Sequence, residues 1–299
     1  MMQVIETRAA LQAWSDAERA GGRRIGLVPT MGALHPGHLS LIQCGREKAD
    51  EVWVSIFVNP TQFNQPEDFE GYPRTFEVDA ESCRAAGVDV IFAPTPDQLY
   101  PNGAQTWVEV GDLAAPLCGA SRPGHFRGVT TVVSKLFLAA RPHVAVFGEK
   151  DFQQLAVIRR MTRDMGFGIE IVGGPTLREE DGLAMSSRNV RLGPSARKQA
   201  QVVIRAIRQA ERNIAGGERS TSSLLEAVHK TIEEASLASV DYAELRDPES
   251  LTEAPEQLVG PTLLALAVNF APDPDGQGAA VRLIDNRVLL QPRQTDGES

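Results

Sequence analysis

Arg24-Ile25-Gly26-Leu27-Val28-Pro29-Thr30-Met31-Gly32-Ala33-Leu34-His35-Pro36-Gly37-His38 is the stretch on which the fold turns. Its first five residues predict a short strand, and the ten that follow predict a turn leading into the start of a helix. Pro36 fits a first helical turn, where its missing N–H costs nothing. Histidines three apart at that place project the same way, beside free backbone N–H groups and the positive end of the helix dipole. Together they suit an anion such as phosphate. Gly32 and Gly37 let backbone approach a ligand closely.

The strand-then-helix order repeats through the first half. Strand-like runs lie at 52–58, 88–92, 144–147 and 169–172, with helical patterns at 39–49, 76–86, 129–140 and 152–165. Val52 to Val58 is apolar on both faces, as in a strand of a parallel sheet covered by helices. This predicts an α/β fold with a Rossmann-like doubly wound parallel sheet, in which ligands bind beyond the carboxyl ends of the strands. After about residue 176 the texture changes. A long helix from Ser195 to about Ala215, a Gly216-Gly217 break, a helix at 222–235 and strands at 240–245, 263–268 and 281–284 predict a smaller C-terminal α+β domain. The expected domains are 1–176 and 177–299, with a surface loop at 269–278 and a loose tail from Gln291.

Three further clusters bear on chemistry. In Gly148-Glu149-Lys150-Asp151-Phe152-Gln153-Gln154, Gly148 can expose backbone N–H groups and Lys150 offers a mobile charge for phosphate. Asp151 can cap the helix or accept sugar hydroxyls, and Gln154 faces similarly one turn beyond Lys150. Met185-Ser186-Ser187-Arg188 carries two hydroxyls and a guanidinium on a loop, able to follow a triphosphate as its geometry changes. Asn59 and Gln62, after the second predicted strand, supply two amides that could orient a small polar substrate. Read singly, each cluster also has a plain structural explanation, as a cap, a solvated charge or a turn.

Composition narrows the classes. Of 299 residues, 42% are hydrophobic and 23% charged, an ordinary globular balance that excludes disorder and collagen. Thirty basic against 39 acidic residues give a net charge of −9, which argues against nucleic-acid or anionic-membrane partners. Cys44, Cys83 and Cys118 are odd in number and include no CxxC, so neither a disulfide framework nor a thiolate zinc site is expected. With no signal-like N-terminus and no apolar run of 18 residues, a cytoplasmic protein is expected. No G-x-x-x-x-G-K-[ST] occurs, and Gly166-Phe167-Gly168 meets Ile171 where a dinucleotide motif needs glycine.

These residues resemble the pantoate–β-alanine ligase family, within the superfamily of HxGH nucleotidyltransferases and class I aminoacyl-tRNA synthetases. The likeness runs through Pro29 to His38, Ser55 to Phe63, Tyr72 to Thr75, Gly148 to Gln154, Asp181 to Asn189 and Arg282 to Asn286. It implies an ATP-dependent condensation of pantoate with β-alanine through a pantoyl adenylate, releasing pyrophosphate and AMP. It assigns His35, His38, Lys150, Ser186, Ser187 and Arg188 to phosphate chemistry, and Met31, Asn59, Gln62 and Gln154 to pantoate. Pro29, Thr30, Gly37, Gly148, Asp151 and Met185 would meet the nucleotide. Mg²⁺ would ride on the ATP phosphates, with Asp79 the one carboxylate offered as a protein contact, since Val78 stands where some relatives carry an acid. A homodimer through the large domain is also implied. His125 belongs to a segment resembling the family's flexible wall, His143 and His229 read as structural, and the 269–278 loop is longer than the family's usual turn. The alternatives are a nucleotidyltransferase that keeps AMP in its product, a tRNA synthetase, and a catalytically silent nucleotide-binding protein.

Overall fold

A computed structural model of the chain describes residues 2–64 and 66–290, so the tail from Gln291 lies outside the described residues. The chain divides between Leu177 and Arg178 into two compact units. In the first, strands β1 (Gln3–Ile5), β2 (Ile25–Thr30), β3 (Glu51–Ile56), β4 (Val90–Phe92), β5 (Val144–Gly148) and β6 (Glu170–Gly174) form one sheet in the order β1-β4-β3-β2-β5-β6. All pairings are parallel. This is the doubly wound α/β sheet expected from the sequence. Val28, Val52, Val54, Ile91, Val144 and Val146 are buried with Ile42 of the helix Pro36–Arg46 in one apolar cluster. Burial on both faces explains why these strands read as continuous apolar runs.

The chain passes from β2 to β3 and β4 on one side, then from β5 to β6 on the other. The ends of β2 and β5 therefore flank the topological switch point, where an open α/β sheet leaves a crevice for ligand. The helix Pro36–Arg46 leaves β2 there, and the helix Phe152–Asp164 follows β5. A third helix, His125–Ala140, buries most of its residues.

Among the elements that escaped the sequence reading are the first strand and the first helix. Strand β1 has only three residues, too few to show a period. The helix Arg8–Ala20 buries only Leu11 and Ser15, so the face it packs inward is narrow. Tertiary contacts hold it: Thr7 caps its start and the Ser15 hydroxyl donates to the Ala140 carbonyl at 2.7 Å.

In the second unit, β7 (Ala238–Arg246), β8 (Thr262–Phe270) and β9 (Val281–Leu289) form an antiparallel sheet in that order. It shares a core with the helices Val202–Ala215 and Thr221–Glu233, built from Ile204, Ile207, Leu224, Val228, Leu264, Leu266 and Val268. The helix expected to run unbroken from Ser195 is two, Pro194–Gln199 and Val202–Ala215, parted by a turn at Ala200 and Gln201. The expected surface loop at 269–278 also needs correction. Asn269 and Phe270 belong to β8, and Asp273 is only 5% exposed. Its carboxylate accepts from the Ser195 and Ala196 amides at 2.7 and 2.8 Å, so it caps the helix Pro194–Gln199 from 78 and 77 residues away. Asp273→Ala should lower the unfolding free energy of the full chain by about 1–2 kcal/mol, the usual cost of a lost cap. A urea midpoint unchanged from wild type would contradict this.

Candidate active site

The turn after β2 is held from behind. Gly32 and Ala33 both adopt left-handed backbone, with φ of +82° and +51°. At Gly32 a Cβ would lie 3.0 Å from Asp79 Oδ2. At Ala33, a non-glycine residue, the conformation costs about 1 kcal/mol or more and persists only where surroundings impose it. The constraint is Asp79, on the helix Phe76–Ala85 and 2% exposed. Its Oδ2 accepts from the Ala33 amide at 2.9 Å and from the Thr75 hydroxyl at 3.2 Å. Its Oδ1 accepts from the Leu34 amide at 2.8 Å. Thr30 Oγ1 takes the Gly32 amide at 3.2 Å while donating to the Ser55 carbonyl at 2.7 Å. Asp79, offered by sequence as a metal contact, is thus corrected to a brace, because both of its oxygens are spent on the turn.

The two histidines cap their own helix. His35 Nδ1 accepts from the Gly37 amide at 3.2 Å, and His38 Nδ1 accepts from the His35 amide at 3.3 Å. The His38 amide donates to the His35 carbonyl at 2.7 Å. The backbone N–H groups expected to meet an anion are therefore taken internally. An imidazole that accepts at Nδ1 carries its proton at Nε2, so each ring presents an Nε2–H donor. The ring centroids lie 4.1 Å apart. Burial, then the neighbouring His35 and, more weakly, Lys150, push the His38 pKa down to about 3, against an opposing pull from Asp151. That electrostatic coupling also places the segment after β5 beside the one after β2. Lys150 is mostly buried and lies 3.9 Å from the half-exposed Asp151 carboxylate.

The amides after β3 divide their work. Asn59, only 1% exposed, donates through Nδ2 to Gln62 Oε1 at 2.9 Å and to the Gly128 carbonyl at 3.2 Å. Its Oδ1 accepts from Thr61 Oγ1 and from the Tyr100 hydroxyl, each at 2.9 Å. Asn59, expected to touch substrate, is instead a support for Gln62. With Oε1 occupied, Gln62 turns Nε2 toward Met31 Sδ at 3.1 Å. The Gln62 carbonyl is held in turn by His125 Nδ1 at 2.8 Å and Arg122 Nη2 at 3.1 Å. Helix His125–Ala140 can approach this turn only because position 128 is glycine, where a Cβ would lie 2.4 Å from the Thr61 carbonyl. Of the paired glutamines, Gln153 is 6% exposed and ties the 113–118 segment through Cys118, Leu113 and Pro116. Gln154 is half-buried.

The first unit therefore gathers Pro29, Thr30, Met31, His35, Gly37, His38, Gln62, Gly148, Lys150, Asp151 and Gln154 on the segments that leave β2, β3 and β5. Met185, Ser186, Ser187 and Arg188 belong to the second unit. There the Arg188 amide donates to Ser186 Oγ at 3.2 Å. The segment leading to them is pinned by Arg197 on Asp181 and Glu179, by a bidentate Arg178–Asp285 pair at 2.6 and 3.0 Å, and by Asn189 on Glu179. Tyr100, Arg122 and Gly128 were not singled out from sequence. Nothing local marks them, because they act on the turn at Asn59 and Gln62 from 41, 60 and 69 residues away.

A family model described as pantoate-beta-alanine ligase matches residues 3–288. A pantothenate synthetase from Desulfatibacillum aliphaticivorans is 51% identical over 288 residues, 96% of this chain and 99% of that one. One from Geobacter sulfurreducens is 53% identical with the same coverage. The crystal structure of pantothenate synthetase from Thermus thermophilus matches with a TM-score of 0.88 at 43% identity, over 97% of this chain and all of that one. That of a pantoate-beta-alanine ligase from Francisella tularensis, complexed with beta-gamma ATP and beta-alanine, matches with a TM-score of 0.79 at 33% identity, over 96% and 98%. Fold, site and relatives together define a doubly wound α/β enzyme that joins carbon to nitrogen. The chain belongs to the pantoate–β-alanine ligase family.

The depressed His38 pKa has a signed consequence. Protonation near the ordinary value of 6.5 is available to the unfolded chain but not to the folded one. Stability conferred by the neutral ring is thus complete above about pH 6.5 and is lost as pH falls toward 3. In the free enzyme the His38 ring should show no NMR titration between about pH 8 and 5, and His38→Gln should flatten the acid limb of the stability curve. A His38 midpoint near the ordinary 6.5 would contradict the burial argument.

Proposed function

We propose that the enzyme condenses pantoate with β-alanine through a pantoyl adenylate, with ATP as co-substrate. A pantoate carboxylate oxygen attacks the α-phosphorus and pyrophosphate leaves. The β-alanine nitrogen then attacks the acyl carbon, AMP departs, and the amine gives up its proton as the amide forms. The observation that carries this reading is the pair of imidazoles at the switch point, each accepting at Nδ1 and so presenting Nε2–H, with His38 held neutral by burial beside the Lys150 ammonium. Charge grows on the α-phosphate oxygens as the carboxylate attacks, and preorganised donors in a partly dry site lower that barrier. A His38 that stays neutral through physiological pH acts by donating a hydrogen bond rather than by transferring a proton.

Gln62, its Oε1 already engaged by Asn59, supports donation to the oxygens of pantoate, with Met31 lining the pocket and Gln154 one turn beyond Lys150. Pro29, Thr30, Gly37, Gly148 and Asp151 suit the nucleotide, as do Met185 and the Ser186-Ser187-Arg188 loop, whose hydroxyls and guanidinium suit the departing pyrophosphate. On this reading the first unit binds nucleotide and pantoate. No group of three His, Cys, Asp or Glu side chains converges among the described residues, and Asp79 is spent on the turn. Mg²⁺ carried on the ATP phosphates would need few protein ligands and would supply charge neutralisation there, and no step here runs through a protein-held ion. The net charge of −9 supports an enzyme without nucleic-acid partners, and a cytoplasmic setting belongs to the same proposal. No helix among the described residues is long and apolar enough to cross a membrane. A homodimer is part of the same proposal.

Pyrophosphate–ATP exchange should require pantoate but not β-alanine, whereas AMP release should require both. Exchange that ignores pantoate would overturn the adenylate, and AMP retained in the product would make the enzyme a nucleotidyltransferase. His38→Ala and Lys150→Ala should each lower kcat about 100-fold or more, the scale of a lost transition-state donor, while the melting temperature changes little.

A further inference from the structure

Among the described residues Tyr100 stands outside every motif, yet its hydroxyl ends a chain of hydrogen bonds that leads into the site. It donates to Asn59 Oδ1 at 2.9 Å and lies 3.0 Å from Thr61 Oγ1. Around Asn59 Oδ1 stand donors: the Tyr100 and Thr61 hydroxyls and the Thr61 amide at 3.4 Å. Around Asn59 Nδ2 stand acceptors: the Gly128 carbonyl and Gln62 Oε1. An inverted Asn59 amide would set donor against donor and oxygen against oxygen in a site that water does not reach, which is expensive. The Asn59 orientation dictates that of Gln62, whose Nε2 then faces Met31 Sδ at 3.1 Å. A thioether is a weak acceptor, so a ligand oxygen arriving there makes the better partner.

Thr61 belongs to the same turn as Asn59 and Gln62 and moves with it. Tyr100 does not. It comes from 41 residues away and is itself fixed by Lys135 on the helix His125–Ala140. The Lys135 ammonium donates to the Leu99 carbonyl at 2.7 Å and sits 5.0 Å from the Tyr100 ring centroid. Burial pushes the Tyr100 phenol above its ordinary value, so it remains a donor at any working pH.

We infer that Tyr100 is a positioning residue: through Asn59 its hydroxyl fixes which end of the Gln62 amide faces the pocket, so that the site offers an N–H and selects a ligand oxygen. This rests on the proposed assignment of Gln62 to pantoate. Tyr100→Phe removes the hydroxyl and keeps the ring. The KM for pantoate in the exchange assay should rise about three- to tenfold, the range of one neutral hydrogen bond, while kcat and the KM for ATP stay within about twofold. In a Gln62→Ala background, Tyr100→Phe should add less than about twofold to the pantoate effect, because the residue through which it acts is gone.

An unchanged pantoate KM, an equal rise for ATP, or full additivity in the Gln62→Ala background would overturn the relay. So would a Tyr100→Phe protein that fails to melt cooperatively, which would make Tyr100 a packing residue only. Failure of the underlying reading is separable: it appears in the wild-type enzyme as exchange that does not respond to pantoate.

Discussion

The Asp79 carboxylate, buried behind the turn that follows β2, is the constraint on which the site depends. A chain leaving a buried parallel strand must redirect within a few residues and still satisfy every amide it carries below the surface. Here Gly32 and Ala33 turn through left-handed backbone, and one carboxylate binds the Ala33 and Leu34 amides together. Thr30 and the two imidazoles take the Gly32, His35 and Gly37 amides. With these donors consumed, the turn is rigid, and the helix that begins at Pro36 starts in a fixed direction from the end of β2.

The use of His35 and His38 as caps has a chemical corollary. A histidine exposed to water could place its proton on either nitrogen and would gain a second one near about pH 6.5. Capping fixes the tautomer at both rings, since Nδ1 must accept, and at His38 burial also disfavours the charged ring. The result is a pair of directed Nε2–H donors whose ring centroids lie 4.1 Å apart. Lys150 brings a positive charge to this part of the first unit, within a molecule whose overall charge is −9. The amide chain from Tyr100 through Asn59 to Gln62 follows the same logic. A group that could face either way is made to present one end by partners that cannot reverse, such as the Gly128 carbonyl and the Thr61 amide.

The loop of the second unit is held differently. Arg178, Arg197, Glu179, Asp181 and Asp285 form ion pairs at the base of the Met185-Ser186-Ser187-Arg188 segment. Arg197 holds the Asp181 carboxyl below its usual range, with further help from the Leu183 amide and Gln201 and against the cost of burial. Such a base keeps the segment's anchor ordered, whereas the hydroxyls of Ser186 and Ser187 lie beyond it.

The doubly wound sheet was legible because β2, β3 and β5 are buried on both faces, which leaves uninterrupted apolar runs, and because Gly and Pro mark the intervening turns. Strand β1 and the helix Arg8–Ala20 were not, the strand being too short to show a period and the helix burying only Leu11 and Ser15. The chemistry-bearing residue types and their attachment to the strand ends were also in the sequence: His35 and His38, Lys150, Gln62, and Ser186 to Arg188. What each of them does was a tertiary matter. Asp79 and Asn59 have side chains suited to a metal and a substrate, and only folding set them against backbone amides and the Gly128 carbonyl instead. Sequence spacing records which groups share an element, whereas a hydrogen bond is satisfied by whatever the packing brings within about 3 Å. The protonated nitrogen of each imidazole and the outward end of the Gln62 amide were therefore decided by the partners that folding supplied.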